Sequence, residues 1–325
     1  MINAADYDPF APGTFPVAVR TIVAPDSVRG RRFPTEVWCP AGSRDADRPL
    51  IIYSHSSGGH RRSATFLGTH LASRGYVVAA MDHSELVAPE LARPDGETSD
   101  KRDARVGAVI ASRVPDVRFL LDYLLKDGDL GLDTQRIGLA GHSFGGWTVL
   151  ATTEVEPRIR SVVAMAPGGN SNPLPGILPL TLSFARGRDV PTLYLAAEND
   201  VMIPLAGVTE LFDRTPSSTR MFILRRADHQ HFVDDVAGEH EAIRAASLPG
   251  DAAWIPAAMQ PIDQLSSGEQ AHLFVRGLTL AHLDATLRGS EAARQFLDGN
   301  AEAALATHSV EAIAYQGRPE GLRSG

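Results

Sequence analysis

A serine framed by glycines is the most reactive arrangement in this chain. Gly141-His142-Ser143-Phe144-Gly145-Gly146 follows the apolar run Ile137-Gly138-Leu139-Ala140, and helix-compatible residues continue from Trp147. A buried strand that breaks into a sharp turn and restarts as a helix is the nucleophile elbow, G-x-S-x-G, which holds a serine Oγ clear of the backbone at the end of a sheet. The glycines have a steric role, because side chains two residues before and after the serine would collide with the neighbouring strand and helix. A serine hydroxyl is a weak nucleophile at neutral pH and needs a base to take its proton. The motif therefore predicts an acid and then a histidine downstream.

Both are in order. The strand-like Thr192-Leu193-Tyr194-Leu195-Ala196-Ala197 runs into Glu198-Asn199-Asp200-Val201-Met202-Ile203-Pro204. Asp200 is the preferred acid, since Asp200 and Pro204 bracket a turn into the next helix, with Glu198 as the alternative. After the last strand, Ala227-Asp228-His229-Gln230-His231-Phe232 offers two histidines. His229 is the expected general base. His231 is then a wall or surface residue, or the base if the loop is displaced by two residues. A His-x-His pair can bind metal, but no second cluster of suitable ligands accompanies it, and neither metal nor cofactor is expected. A tetrahedral oxyanion needs two fixed N–H donors, and losing one costs on the order of 3 kcal/mol in other enzymes. Phe144, at the start of the elbow helix, is expected to supply one. Ser57, in Ser54-His55-Ser56-Ser57-Gly58-Gly59, is expected to supply the other. His55, Ser56, His142 and Trp147 flank these groups and are expected to bind substrate.

Such residues must be held by a sheet, and the chain supplies one. Val17–Val23 and Phe33–Cys39 read as an antiparallel pair. Leu50–His55 and Tyr76–Met81 are continuous apolar runs, the mark of strands buried on both faces. Helical spacing spans Ser63 to Arg74 and Arg105 to Lys126. Strands recur at Val162–Met165, Thr192–Ala197 and Met221–Leu224. Alternation of this kind implies an α/β fold with a mostly parallel central sheet of about eight strands and helices on both faces. The expected organisation is one domain over 1–325 with a core from about 15 to 235. Segments 84–104 and 168–190 are candidate lid or rim loops. A C-terminal helical segment, 236–325, contains a packing helix at about 269–287, and the residues after about Asn300 read as a loosely held tail.

Composition narrows the class. A hydrophobic fraction of 43% in 325 residues is ample for a large core, and a net charge of −8 with scattered basic residues gives no nucleic-acid surface. The single cysteine, Cys39, excludes an internal disulfide and fits a reducing, cytoplasmic location. Met1–Thr14 lacks the apolar core of a signal peptide, and no run reaches the roughly 18 apolar residues of a membrane span. His60-Arg61-Arg62 lies where a helix is expected to begin. It reads as a solvated cluster, with attraction of an anionic ester as the functional alternative. Oligomeric state is not legible.

With these residues in place, the chain resembles the α/β-hydrolase superfamily. The carriers are Gly141–Gly146, the loop His55-Ser56-Ser57-Gly58-Gly59 and the Asp82-His83 pair. Within the superfamily it resembles the platelet-activating factor acetylhydrolase and dienelactone hydrolase-like esterases. His229-Gln230-His231-Phe232-Val233-Asp234 is similar to the stretch around the base in the acetylhydrolase group, which favours His229. Pro16–Arg20 and Glu36–Ala41 resemble the opening strands of that group and of related bacterial polyester hydrolases. The resemblance covers roughly residues 10 to 235. It implies cofactor-independent hydrolysis of carboxylic esters through an acyl-enzyme, with small or medium esters as substrates. Lactones, thioesters or acyl transfer would use the same groups, and a catalytically inactive binding protein is the alternative of another class. Ser56 departs from the glycine usual after the histidine, which narrows the loop or adds a hydroxyl to the pocket.

Overall fold

Leu50-Ile51-Ile52-Tyr53 shows why the molecule is organised around a sheet covered twice. Leu50 and Ile52 belong to one hydrophobic core, Ile51 and Tyr53 to a second on the opposite face. Successive side chains of a strand point to opposite faces, so a strand covered on both sides must be apolar throughout. The computed structural model describes residues 7–42, 47–94, 96–185 and 187–315.

The strands are β1 (Val17–Asp26), β2 (Arg31–Pro40), β3 (Arg48–Ser54), β4 (Val77–Met81), β5 (Leu132–His142), β6 (Ile159–Met165), β7 (Thr192–Ala197), β8 (Thr219–Leu224) and β9 (Ala312–Tyr315). They form one sheet in the order β1-β2-β4-β3-β5-β6-β7-β8-β9. β3 through β8 are parallel, β2 runs antiparallel to both β1 and β4, and β9 runs antiparallel to β8. This is the α/β-hydrolase arrangement. The helices are α1 (Thr65–Ser73), α2 (Ser84–Val87), α3 (Ser99–Leu124), α4 (Phe144–Val155), α5 (Leu205–Arg214), α6 (Val236–Arg244), α7 (Ile255–Ala258), α8 (Gly268–Leu287), α9 (Glu291–Gln295) and α10 (Ala301–Thr307). α1 and α8 cover one face through Leu67, Leu71, Phe274 and Leu278; α3, α4 and α5 cover the other through Leu120, Leu121, Val149 and Leu211.

Three sequence expectations change. The residues after Asn300 are not a loose tail as far as Tyr315. Ala301 and Leu305 are buried, and β9 pairs with β8 from Ala312 to Tyr315, giving the sheet its ninth strand. A four-residue strand carries too short a pattern to be read without its partner. Second, none of the described residues of segment 84–104, a candidate lid or rim, lines the large cavity at the carboxyl ends of the strands. The segment's three glutamates are paired with arginines, Glu85 with Arg113, Glu90 with Arg31 and Glu97 with Arg105. Third, the first major helix begins at Thr65 rather than Ser63, because Asp234 reaches across the molecule to accept from the Thr65 and Phe66 N–H groups. The expectations for the first six and last ten residues lie outside the described residues. Among the described residues no helix is long and apolar enough to cross a membrane.

Candidate active site

The carboxyl ends of parallel strands are where ligands bind in sheets of this kind. Here β3, β5, β7 and β8 deliver the loop after Ser54, Ser143, Asp200 and His229 to one end. The elbow is sterically determined. Ser143 sits at φ 57°, ψ −116°, and its N–H donates to the Met165 carbonyl at 2.8 Å. A Cβ on Gly141 would stand 2.3 Å from the Gly145 carbonyl oxygen, and one on Gly145 only 1.9 Å from that of Ser54. Neither approach is open to any other residue without moving backbone.

His229 Nε2 lies 2.8 Å from Ser143 Oγ, and its Nδ1 lies 2.6 Å from Asp200 Oδ2. The other Asp200 oxygen accepts from the Met202 and Ile203 N–H groups at 2.9 and 2.8 Å, which fixes the carboxylate in the turn. Burial alone would depress the His229 imidazole, but the charge and hydrogen bond of Asp200 prevail and hold its pKa above the usual value. The chemistry open to this geometry is proton abstraction from Ser143 by an oriented imidazole. Glu198, the alternative acid, points elsewhere: it pairs with Arg225 at 2.6 Å and accepts from the Arg226 N–H.

His231 is neither wall nor surface, and it is not near Ser143. It is fully buried, with Nδ1 2.8 Å from Asp228 Oδ1 and Nε2 donating to the Ser266 carbonyl at 2.9 Å. The same carboxylate bonds His240 Nδ1 at 2.6 Å, so Asp228 ties the His229 loop to α6, while His231 ties it to Ser266 just before α8. The sequence offered no sign of these partners.

A cavity of about 640 Å³ opens onto Ser143 and His229, within the range of about 300–1,000 Å³ usual for small-molecule pockets. Ser56, Ser57, His142 and Phe144 line it, together with Gly168, Gly176, Ile177, Leu178 and Leu180 from the segment 168–190. Two expected substrate contacts do not line it. His55 is buried behind the loop, its Nδ1 donating to the Ser56 carbonyl at 2.7 Å. Trp147 faces the other core, donates to the Thr181 carbonyl at 2.8 Å and stacks on Phe144. It anchors the rim rather than touching the cavity. Sequence reasoning missed the far wall, where Ile243, Leu248 and Ile255 join Ile177, Leu178 and Met202. The two halves interlock, since Trp254 donates to the Pro175 carbonyl at 3.0 Å and Gly176 lies against Ala252. Apolar residues in α6 and beyond were visible, but only folding over the sheet makes them a wall.

The basic cluster is engaged internally. Arg61 pairs with Asp82 at 2.6 Å and Arg62, which lines the cavity, with Glu36 at 2.8 Å.

Comparison with known proteins gives a consistent result. A model of the PET hydrolase-like family (PETase) matches residues 13–248. The chain is 25% identical over 199 residues to bis(hydroxyethyl) terephthalate hydrolase of Streptomyces coelicolor, covering 60% of this chain and 54% of that protein. It is 27% identical over 222 residues to platelet-activating factor acetylhydrolase of Cavia porcellus, covering 57% and 48%. The chain thus spans about half the length of the curated relatives it matches. Among solved structures, ferulic acid esterase from Streptomyces cinnamoneus superposes with a TM-score of 0.66 at 25% identity, covering 94% of this chain and 98% of that one.

Proposed function

The chain belongs to the PET hydrolase-like family, and on that premise we propose that it is a serine hydrolase cleaving carboxylic esters through an acyl-enzyme. The observation that carries this reading is the continuous relay Asp200–His229–Ser143, at 2.6 and 2.8 Å, opening into one cavity. In the proposed reaction Ser143 Oγ attacks the ester carbonyl carbon while His229 Nε2 takes the hydroxyl proton. Asp200 holds the tautomer that leaves Nε2 free to accept, and it stabilises the imidazolium. The oxyanion is received by the N–H groups of Ser57 and Phe144. Collapse expels the alcohol, protonated by His229. Water then attacks the acyl-enzyme, gives its proton to His229, and the acid leaves with Ser143 restored.

The pocket also informs the substrate. Its far wall is aliphatic, from Ile177, Leu178, Ile243, Leu248 and Ile255, and its mouth is polar, with Ser57, His60, Asp235 and Glu239. This supports an ester with one aliphatic group of small to medium length seated against that wall. A relative named bis(hydroxyethyl) terephthalate hydrolase and a structural neighbour named ferulic acid esterase support ester cleavage as the reaction class. The lone Cys39 supports a reducing, cytoplasmic location, which fractionation of the source cells tests.

The deciding experiment pairs turnover of p-nitrophenyl acetate, butyrate and octanoate with intact-mass analysis after a fluorophosphonate probe. The expected result is turnover, one adduct on Ser143, and loss of both in Ser143→Ala. A folded protein with neither turnover nor adduct would overturn the proposal and leave a binding protein in its place.

A further inference from the structure

Arg113 is a fully buried cation beside the loop after β3, and it takes no part in the relay from Asp200 to Ser143. It lies on α3 with no exposed surface, directly behind the loop after β3. A fully buried guanidinium is tolerated only with charge compensation and directed hydrogen bonds. Glu85, from α2, supplies the charge. The hydrogen bonds go to the loop: Nη1 donates to the His55 carbonyl at 2.8 Å and to Ser54 Oγ at 3.4 Å, and Nη2 to the Ser56 carbonyl at 3.4 Å. The guanidinium also lies over the Phe144 ring, 4.0 Å from its centroid.

Peptide geometry extends this hold to the next N–H. In a trans peptide the C=O and the adjoining N–H point in opposite directions. The structure contains no cis peptide bond among the described residues. The Ser56 carbonyl points back into the protein, where Arg113 Nη2, His55 Nδ1 at 2.7 Å and the Gly59 N–H at 3.2 Å all donate to it. The Ser57 N–H must therefore point the other way, toward the cavity that Ser57 lines. Among the described residues neither the Ser57 nor the Phe144 N–H has a hydrogen-bond acceptor. A cation donating to one end of a peptide also polarises its N–H and strengthens it as a donor.

We propose that Arg113 is a positioning residue that sets both oxyanion donors at once, Ser57 through the Ser56 carbonyl and Phe144 through its ring. The inference rests on the serine-hydrolase reading above. It also assigns a purpose to the polar segment after β4. Ser84 bonds Asp116 on the next turn of α3, and His83 bridges Ser54 Oγ at 2.9 Å to Asp116 at 3.3 Å. Glu85 and Arg113 are thus held in a frame that links the ends of β3 and β4 to the oxyanion loop.

The test compares Arg113→Lys and Glu85→Gln with the wild type. Lysine keeps the buried charge but cannot bond two carbonyls and cover a ring together. The readouts are kcat and KM for p-nitrophenyl butyrate per folded protein, and the Ki of phenylboronic acid, whose tetrahedral adduct places an oxygen on the oxyanion donors. The expected result for Arg113→Lys is a fall in kcat of about 10- to 100-fold, less than the full loss of a donor in other enzymes. KM should stay within about threefold, and the boronate Ki should rise in parallel with the fall in kcat. Glu85→Gln should move both in the same direction by a smaller factor, and it decides the matter if the lysine variant does not fold. An unchanged boronate Ki, or a kcat loss explained by the unfolded fraction alone, would overturn the proposal. If the wild type neither labels nor turns over, the serine-hydrolase reading has failed instead.

Discussion

Replacing Asp200 by asparagine removes one charge and almost no volume, and the surrounding backbone dictates what the amide does. One Asp200 oxygen accepts two N–H groups, from Met202 and Ile203, at 2.9 and 2.8 Å. An asparagine oxygen must occupy that side, since the NH2 group there would face two donors. The NH2 group is then turned toward His229 Nδ1, now 2.6 Å from a carboxylate oxygen. It can only donate, so the imidazole shifts its proton to Nε2 and can no longer accept one from Ser143. Independently, the imidazolium formed during attack loses its counter-charge. A unit charge pair at about 4 Å contributes about 4 kcal/mol at an effective dielectric of about 20, equivalent to about 10³-fold in rate. The tautomer effect in an unrelated serine hydrolase reaches about 10⁴-fold, so a loss between about 10³ and 10⁴ in kcat is expected. The assay is kcat/KM for p-nitrophenyl butyrate across pH 5–9, with circular dichroism to verify folding and Glu198→Gln as the control. Glu198 is engaged with Arg225 and the Arg226 backbone, so its variant should stay within about twofold. A loss below about tenfold in Asp200→Asn, or an equal loss in Glu198→Gln, would show that the acid is misassigned.

Four further outcomes are expected. Because Asp200 outweighs burial and raises the His229 pKa, the acid limb of kcat/KM should have its midpoint above the usual histidine value of about 6.5; activity is lost as pH falls through it, and a midpoint below that value contradicts the assignment. The same raised pKa contributes stability that is present below the unfolded value and fades as pH rises through the folded one, a trend that urea titrations at pH 5 and 9 would expose in the difference between wild type and His229→Gln. His231→Ala should destabilise by about 2–4 kcal/mol, since it leaves Asp228 and the Ser266 carbonyl short of a buried partner, while keeping turnover per folded protein, and His229→Ala should abolish turnover; the reverse pattern of activity would move the base to His231. Gly145→Ala places a Cβ 1.9 Å from the Ser54 carbonyl oxygen and 2.7 Å from that of His55, so the elbow must separate from the oxyanion loop at a cost of about 3 kcal/mol; a variant with wild-type Tm and kcat would show that the elbow is not so constrained.

The relay and its support differ in how far they could be read in advance. Ser143, Asp200 and His229 come in a chain order in which each residue follows the end of a strand, and strands declare themselves by local pattern. Buried strands are apolar on both faces, as at Leu50–Tyr53, so a one-dimensional string reveals where each one ends and which residues occupy the loop after it. The glycines of the elbow are legible for the same reason, since their constraint comes from neighbours a few residues away. The family resemblance needed nothing more.

Folding alone decided which polar groups face one another. Asp228 reads like any turn residue until His231 and His240 arrive on its two oxygens. Arg113 sits in the middle of a helix whose sequence gives no reason to bury a charge, and Glu85 in a stretch whose polarity suggested solvent. Their pairing joins residues 28 positions apart through a strand-to-helix packing that no local pattern encodes. The far wall of the cavity is likewise a product of return: Ile243, Leu248 and Ile255 lie beyond the last parallel strand and meet Ile177 and Leu178 only because the chain folds back over the sheet's carboxyl edge. Sequence determines the reacting atoms because they are fixed to local breaks in regular structure. Tertiary structure decides the donors' orientation and the substrate's walls because those depend on contacts between segments whose separation along the chain carries no periodic signal.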